Sequence, residues 1–257
     1  VGDRMLRDML RGVSPDTAAN AEWRRGTLPP GRLGMRTAVE IRDRAADLAR
    51  TALPHREGDP AAYDVDVDLG GGRRLTGTVT PVFGRRTVSV TYSRLGGRQL
   101  MASWIPLLAL GAALPDDDWS ALSIGRGEED GRIAQRLLGR PAEPMEALRD
   151  VVRLYDAGRR EPLPLPVKTS FAWAEARRAG KDPITAAGAQ WQRSGGAGGG
   201  AGGDNTDHAH AKIWGRGAPL DVLLGVPHPG EEVAGETTRL GALAARLWQP
   251  MLRAEVR

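Results

Sequence analysis

The sequence predicts an α+β fold with a small mixed sheet flanked by helices. Three observations carry this. Three short β-runs between Tyr63 and Arg94 are joined by two turns, Gly70-Gly71-Gly72 and Gly84-Arg85-Arg86. A helical, apolar run from Gln99 to Leu114 follows them directly. Much of the remaining chain shows apolar residues at helical rather than strand spacing.

In chain order, Met5, Leu6, Met9 and Leu10 mark a helix over Asp3 to Arg11. Ser14-Pro15 starts the next, with a hydroxyl N-cap and a proline at the first helical position, running to about Arg25. A turn-rich loop from Arg24 to Gly31 leads to an amphipathic helix from Arg36 to Leu53, with Val39, Ile41, Ala45, Leu48 and Leu53 as its apolar face. Pro54 to Pro60 is a loop. Tyr63 to Leu69 alternates apolar and acidic residues with period two, as a strand with one buried face does. Leu75 to Val82 and Val88 to Ser93 supply the second and third strands.

Pro106 should kink the following helix or split it, because proline removes a hydrogen-bond donor. Trp119–Ile124 and Gly131–Leu138 are expected to pair as a peripheral hairpin. Pro141 to Gly158 is a helix stopped by Gly158. Pro162 to Pro166 must be extended, as a rigid crossover or a polyproline ligand. Helices are expected from Ser170 to Arg178, from Asp182-Pro183 to Arg193, over the short stretches Ala209–Trp214 and Pro219–Leu224, and from Thr237 to Arg253. Residues 194–203, with seven glycines, predict a mobile loop. The expected division is a helical lead-in, 1–55, and a main domain, 56–257. A start at Val1 in mid-helix pattern is read as a fragment of a longer protein.

Composition excludes several functions. There is no cysteine, hence no disulfide framework and no thiolate zinc site, and the chain is expected in the cytoplasm. No stretch approaches a membrane span, so no membrane partner is expected. Of 36 basic residues only Lys168, Lys181 and Lys212 are lysines, and the net charge of +4 is a weak nucleic-acid signal. Neither a phosphate-binding P-loop nor a nucleophile elbow is present.

Asp64, Asp66 and Asp68 invite a calcium-loop reading, but the sixth and twelfth places hold Leu69 and Leu75, which ends it. Along a strand these carboxylates stand about 7 Å apart on one face, which suits solvent. His208 and His210 with Asp204 and Asp207 match no metal-ligand spacing and are assigned to a disordered loop. Arg73, Arg74, Arg85 and Arg86 at the two turns, with Arg94 and Arg98 beyond the third strand, are the candidate DNA-phosphate contacts. Trp104 and Trp248 belong to the core.

The run Arg24-Arg25-Gly26-Thr27-Leu28-Pro29-Pro30-Gly31-Arg32-Leu33-Gly34 resembles the signature of the RecC C-terminal region, the gamma subunit of exodeoxyribonuclease V. The likeness continues through Asp68-Leu69-Gly70, Leu75-Thr76-Gly77, Leu163-Pro164-Leu165, Ala172-Trp173, Trp191 and Leu247-Trp248-Gln249-Pro250. It implies a degenerate PD-(D/E)XK nuclease-like core. Active members carry Gly-x-x-Asp in the second strand, Asp-Tyr-Lys in the third and Gln-x-x-x-Tyr in the next helix. Here Gly77-Thr78-Val79-Thr80, Thr91-Tyr92-Ser93 and Gln99 with Ser103 stand there. Hydroxyls at Thr80, Thr91 and Ser93 cannot replace the carboxylates a hard cation needs. No catalysis, metal or cofactor is therefore expected.

The resemblance further implies a scaffold that docks RecB and RecD subunits and helps split or channel DNA, acting on double-stranded ends and single strands. Either meander turn could be the strand-splitting pin. The competing readings are a live metal-dependent nuclease using the acidic strand and a protein-binding module with no DNA contact.

Overall fold

The computed structural model describes residues 1–129, 131–193 and 202–256. Among them nine α-helices and one six-stranded mixed sheet are formed. They divide into two compact units, residues 1–140 joined by Val256, and residues 141–255.

The first unit opens with α1 (Gly2–Met9), α2 (Pro15–Arg24) and α3 (Gly31–Ala52). Ser14 caps α2 as its residue type predicts, its hydroxyl accepting the Thr17 N–H at 3.2 Å. The helix expected from Arg36 starts five residues earlier, at Gly31. Its glycines explain the start. Gly31 has φ +75°, a conformation that a side chain disfavours, and a Cβ on Gly34 would land on the Pro29 carbonyl oxygen. Val39 and Leu53, expected on its apolar face, are exposed; Ala45, Leu48, Ala49 and Ala52 are the buried face.

The meander is β1 (Ala61–Gly70), β2 (Arg73–Phe83) and β3 (Arg86–Arg94). In β1, Val65 and Val67 are buried while Asp64, Asp66 and Asp68 are exposed, as the alternation predicts. Next comes α4 (Gly97–Ala113), which runs through Pro106 in one piece rather than splitting. The carbonyl that Pro106 leaves without a donor belongs to Ala102, an exposed residue that water can reach.

β4 (Ser120–Arg126) and β5 (Ile133–Leu138) do pair antiparallel, but not at the periphery. β4 lies parallel to β3, and its residues 121–125 are all buried. Burial on both faces explains why the alternation was absent. Leu122 and Ile124 join the core formed by Met5, Leu6, Met9, Leu48, Ala52 and Val88. Ser123, of opposite parity, meets Ser103 of α4 at 2.8 Å between hydroxyl oxygens. α1 and α3 thus cover one face and α4 the other. The two-residue strand β6 (Glu255–Val256) ends the sheet order β1-β2-β3-β4-β5-β6.

The second unit is helical: α5 (Pro144–Arg160), α6 (Val167–Arg178), α7 (Pro183–Trp191), α8 (His208–Trp214) and α9 (Arg239–Ala254). α5 continues two residues past Gly158, so that glycine does not stop it. Trp248 packs edge-on to Phe171 with ring centroids 5.0 Å apart, and its indole N–H donates to the Ser170 hydroxyl at 3.0 Å. Of the stretch expected to be mobile, 194–201 lie outside the described residues. Gly203 is buried, and its N–H donates to the Arg193 carbonyl at 2.7 Å. The Asp204–His210 stretch is likewise ordered. Asp204 accepts the Thr169 N–H at 3.0 Å and its hydroxyl at 2.9 Å, and Asp207 caps α8.

Candidate nucleic-acid interface

β1 and β2 pair along their whole length, from Ala61↔Val82 to Gly70↔Arg73. β2 and β3 pair only at Val82↔Thr87 and Phe83↔Arg86, beside their turn, and then separate. The two arginine-bearing turns therefore lie at opposite ends of β2. Its 11 residues place them about 33 Å apart at ordinary strand rise. They cannot form one patch.

The arginines also differ in how their charge is spent. Arg74 is gripped by Asp66 through two hydrogen bonds, Nε to Oδ1 at 2.9 Å and a shorter one to Oδ2, which raises its pKa. Arg73 beside it is exposed. Arg85 meets Asp117 at 2.8 Å, donates to the Tyr63 hydroxyl at 2.8 Å, and lies 5.0 Å over the Trp119 ring. That cage is built by an edge-on Tyr63–Trp119 pair with centroids 4.8 Å apart. Arg86 donates to the Ser120 hydroxyl at 3.1 Å. Arg94 and Arg98 are exposed, the first at the end of β3 and the second in the first turn of α4.

Thr91, Tyr92 and Ser93 form a bulge. β3 and β4 are in register to Val90↔Ile124 and resume at Arg94↔Arg126, so three residues face the single Gly125. A Cβ on Gly125 would sit 3.0 Å from the Ser93 carbonyl oxygen, which is why glycine stands there. Inside the bulge the Ser93 N–H donates to the Thr91 hydroxyl at 3.1 Å. Asp3 of α1 accepts the Tyr92 N–H at 2.8 Å and lies 3.5 Å from the Thr91 hydroxyl. Gly2 packs on the Tyr92 ring so closely that a Cβ there would overlap it. The first helix thus occupies the β3 edge that β2 leaves.

The structure brings Thr91 and Ser93 together and adds Asp3, which the sequence reading missed because it lies 88 residues from Thr91 in the chain. It does not recruit Gln99, whose side-chain oxygen accepts the Gly96 N–H at 3.3 Å as part of the α4 cap. Ser103 is buried against Ser123, away from solvent. Thr80, exposed on β2 beyond the last β2–β3 pair, precedes a cis proline.

Among the described residues, one trio has metal-ligand proximity: Glu161, His228 and Glu231 of the second unit, with atoms within 4.8 Å of one another. Arg239 already bonds both carboxylates there, meeting Glu231 at 2.8 Å and Glu161 at closer range. Among the described residues the meander has no such trio. No helix among the described residues is long and apolar enough to cross a membrane.

Residues 1–178 match the family model described as RecC C-terminal domain. The RecBCD enzyme subunit RecC of Mycobacterium tuberculosis (strain ATCC 25618 / H37Rv) is 62% identical over 255 residues, covering 99% of this chain and 23% of that protein. The RecBCD enzyme subunit RecC of Mycolicibacterium smegmatis (strain ATCC 700084 / mc(2)155) is 58% identical over 255 residues, with the same shares. The chain therefore spans about a quarter of the length of these curated relatives.

Proposed function

The chain belongs to the RecC C-terminal domain family, and on that premise we propose that it is a non-catalytic scaffold and DNA-guiding part of a RecBCD-type complex. Its partners on this reading are RecB and RecD subunits, double-stranded ends and single-stranded DNA, in the cytoplasm. The observation that carries the absence of catalysis is the Thr91–Ser93 bulge. Hydroxyls stand where a nuclease of this layout would hold its metal and its lysine, and Asp3 has taken the Tyr92 N–H at 2.8 Å. A lone carboxylate with two hydroxyls does not make a divalent-cation site. The order helix, three-strand antiparallel meander, helix, parallel fourth strand supports descent from a PD-(D/E)XK core.

Of the two turns, Gly70–Arg74 suits the strand-splitting role better. Its hairpin is paired at eight positions, whereas the β2–β3 hairpin is paired at two. Photocrosslinkers placed at Arg73 and at Arg85 in the assembled complex, loaded with forked DNA, test this. Crosslinks to DNA support the guiding role; crosslinks only to other subunits would favour a protein-binding module.

A further inference from the structure

At the Gly84 end of the meander the first unit has a cavity of about 570 Å³, with His55, Phe83, Arg86, Trp119 and Arg140 in its wall. Arg85 also borders it, but its charge is met by Asp117. Arg86 and Arg140 differ. Arg86 Nε donates to the Ser120 hydroxyl at 3.1 Å, and Arg140 donates to the Pro115 carbonyl at 2.6 Å. Both acceptors are neutral. Glu57 and Asp118 also reach the cavity, yet neither pairs with these two arginines among the described residues.

Two guanidinium groups with neutral partners on one cavity repel each other until an anion sits between them. They come from separate elements, Arg86 from the start of β3 and Arg140 from the segment after β5. Donors contributed by two separate elements suit the non-coplanar oxygens of a phosphate better than one planar carboxylate fork does. The volume lies within the range of small-ligand sites. The aromatic faces are spent: Trp119 is 1% exposed, and the Arg56 guanidinium lies 4.9 Å over the Phe83 ring. With the Trp119 and Phe83 faces closed to a nucleobase, and only the smaller His55 ring beside them among the aromatic residues of the wall, the contact is read as one with the backbone and independent of sequence.

We propose that this cavity holds a backbone phosphate of single-stranded DNA between Arg86 and Arg140. The proposal rests on the DNA-guiding reading above and names its contact point. It makes Arg140 a DNA contact and shifts the binding charge from the hairpin tip, where Asp66 neutralises Arg74, to the opposite end of β2.

The test uses the full-length subunit in its assembled complex, with an oligothymidylate as the probe. Arginine modification by phenylglyoxal, read by mass spectrometry, is compared with and without the oligonucleotide. Arg86 and Arg140 should be protected. Arg140→Gln and Arg86→Gln should each weaken binding roughly fivefold at moderate salt and reduce the salt slope of log K by about 0.7, one phosphate's worth on a single strand. Arg140→Lys should restore most of the slope. Arg140 is exposed, so its variants should melt like the parent.

Unprotected Arg86 and Arg140 with an unchanged slope would overturn the site. So would variants that lose subunit assembly while their residual DNA binding is normal, since the occupant would then be a partner's carboxylate. If Arg73, Arg74, Arg94 and Arg98 are protected while these two are not, the phosphate site alone fails. If nothing in the domain is protected, the guiding reading fails with it.

Discussion

Asp3 accepts the Tyr92 main-chain N–H at 2.8 Å, tying the first helix to a bulge in the third strand. Three β3 residues there face one residue of β4, so the bulge leaves donors that the sheet ladder cannot use. Asp3→Ala should cost about 1 kcal/mol, the usual worth of such a bond. Amide exchange at Tyr92 should accelerate while exchange at Val88 stays slow. Unchanged Tyr92 exchange would show that the carboxylate does not hold the bulge.

Much of this fold is legible in the chain because local signals agree with it. Ser14-Pro15 and Asp182-Pro183 announce real caps, and the Tyr63–Leu69 alternation is a real half-buried strand. The failures share a cause, which is that tertiary context overrode a local pattern. β4 was placed at the edge because a strand buried on both faces loses its alternation. At Pro106 the expectation is a kink or a split; the helix does not split, and the carbonyl the proline orphans belongs to Ala102, an exposed residue. At the site, the arginine pairs were visible as residue types, but their separation by the length of β2 and the pairing of Arg74 with Asp66 were not. Asp3 and Arg140 carried no signal at all. Their roles exist only once distant segments meet.

Glu22 makes the first unit sensitive to acid. Fully buried, it receives two hydrogen bonds from Arg4, at 2.8 and 2.6 Å, and a shorter one from Arg25. The Arg4 hydrogen bond, opposed by burial, brings its pKa from 4.5 down to about 2. A depressed carboxyl pKa means that the unfolded chain takes up the proton first. The stability Glu22 contributes is therefore present above pH 4.5 and is lost as pH falls towards about 2. Glu22→Gln should cost about 2 kcal/mol at neutral pH and flatten this acid limb. An acid melting profile identical to the parent's would contradict the assignment.

Asp66 restrains the hairpin tip. Asp66→Asn removes the carboxylate that neutralises Arg74 and frees a guanidinium for phosphate. Single-strand affinity of the assembled complex should rise, and the salt slope should steepen by about 0.7. A fall in affinity would mean that Asp66 orients Arg74 for DNA instead of withholding it.

Gly34 is required by packing rather than by chain flexibility. A Cβ there overlaps the Pro29 carbonyl oxygen, which is backbone and cannot rotate away. Gly34→Ala should cost about 3 kcal/mol, the upper end for overpacking. Gly58→Ala at an open loop site should cost less despite its φ of +84°. Thermal denaturation of the two variants ranks them, and the reverse order would refute the packing argument.

The proposal that the domain has no working nuclease site is tested most directly by incubating the purified full-length subunit, without its partners, with linear DNA and Mg²⁺. No cleavage should occur, and titration calorimetry should show no tight Mg²⁺ or Mn²⁺ binding. Metal-dependent cleavage that disappears in Asp3→Ala or Asp66→Ala would contradict the account.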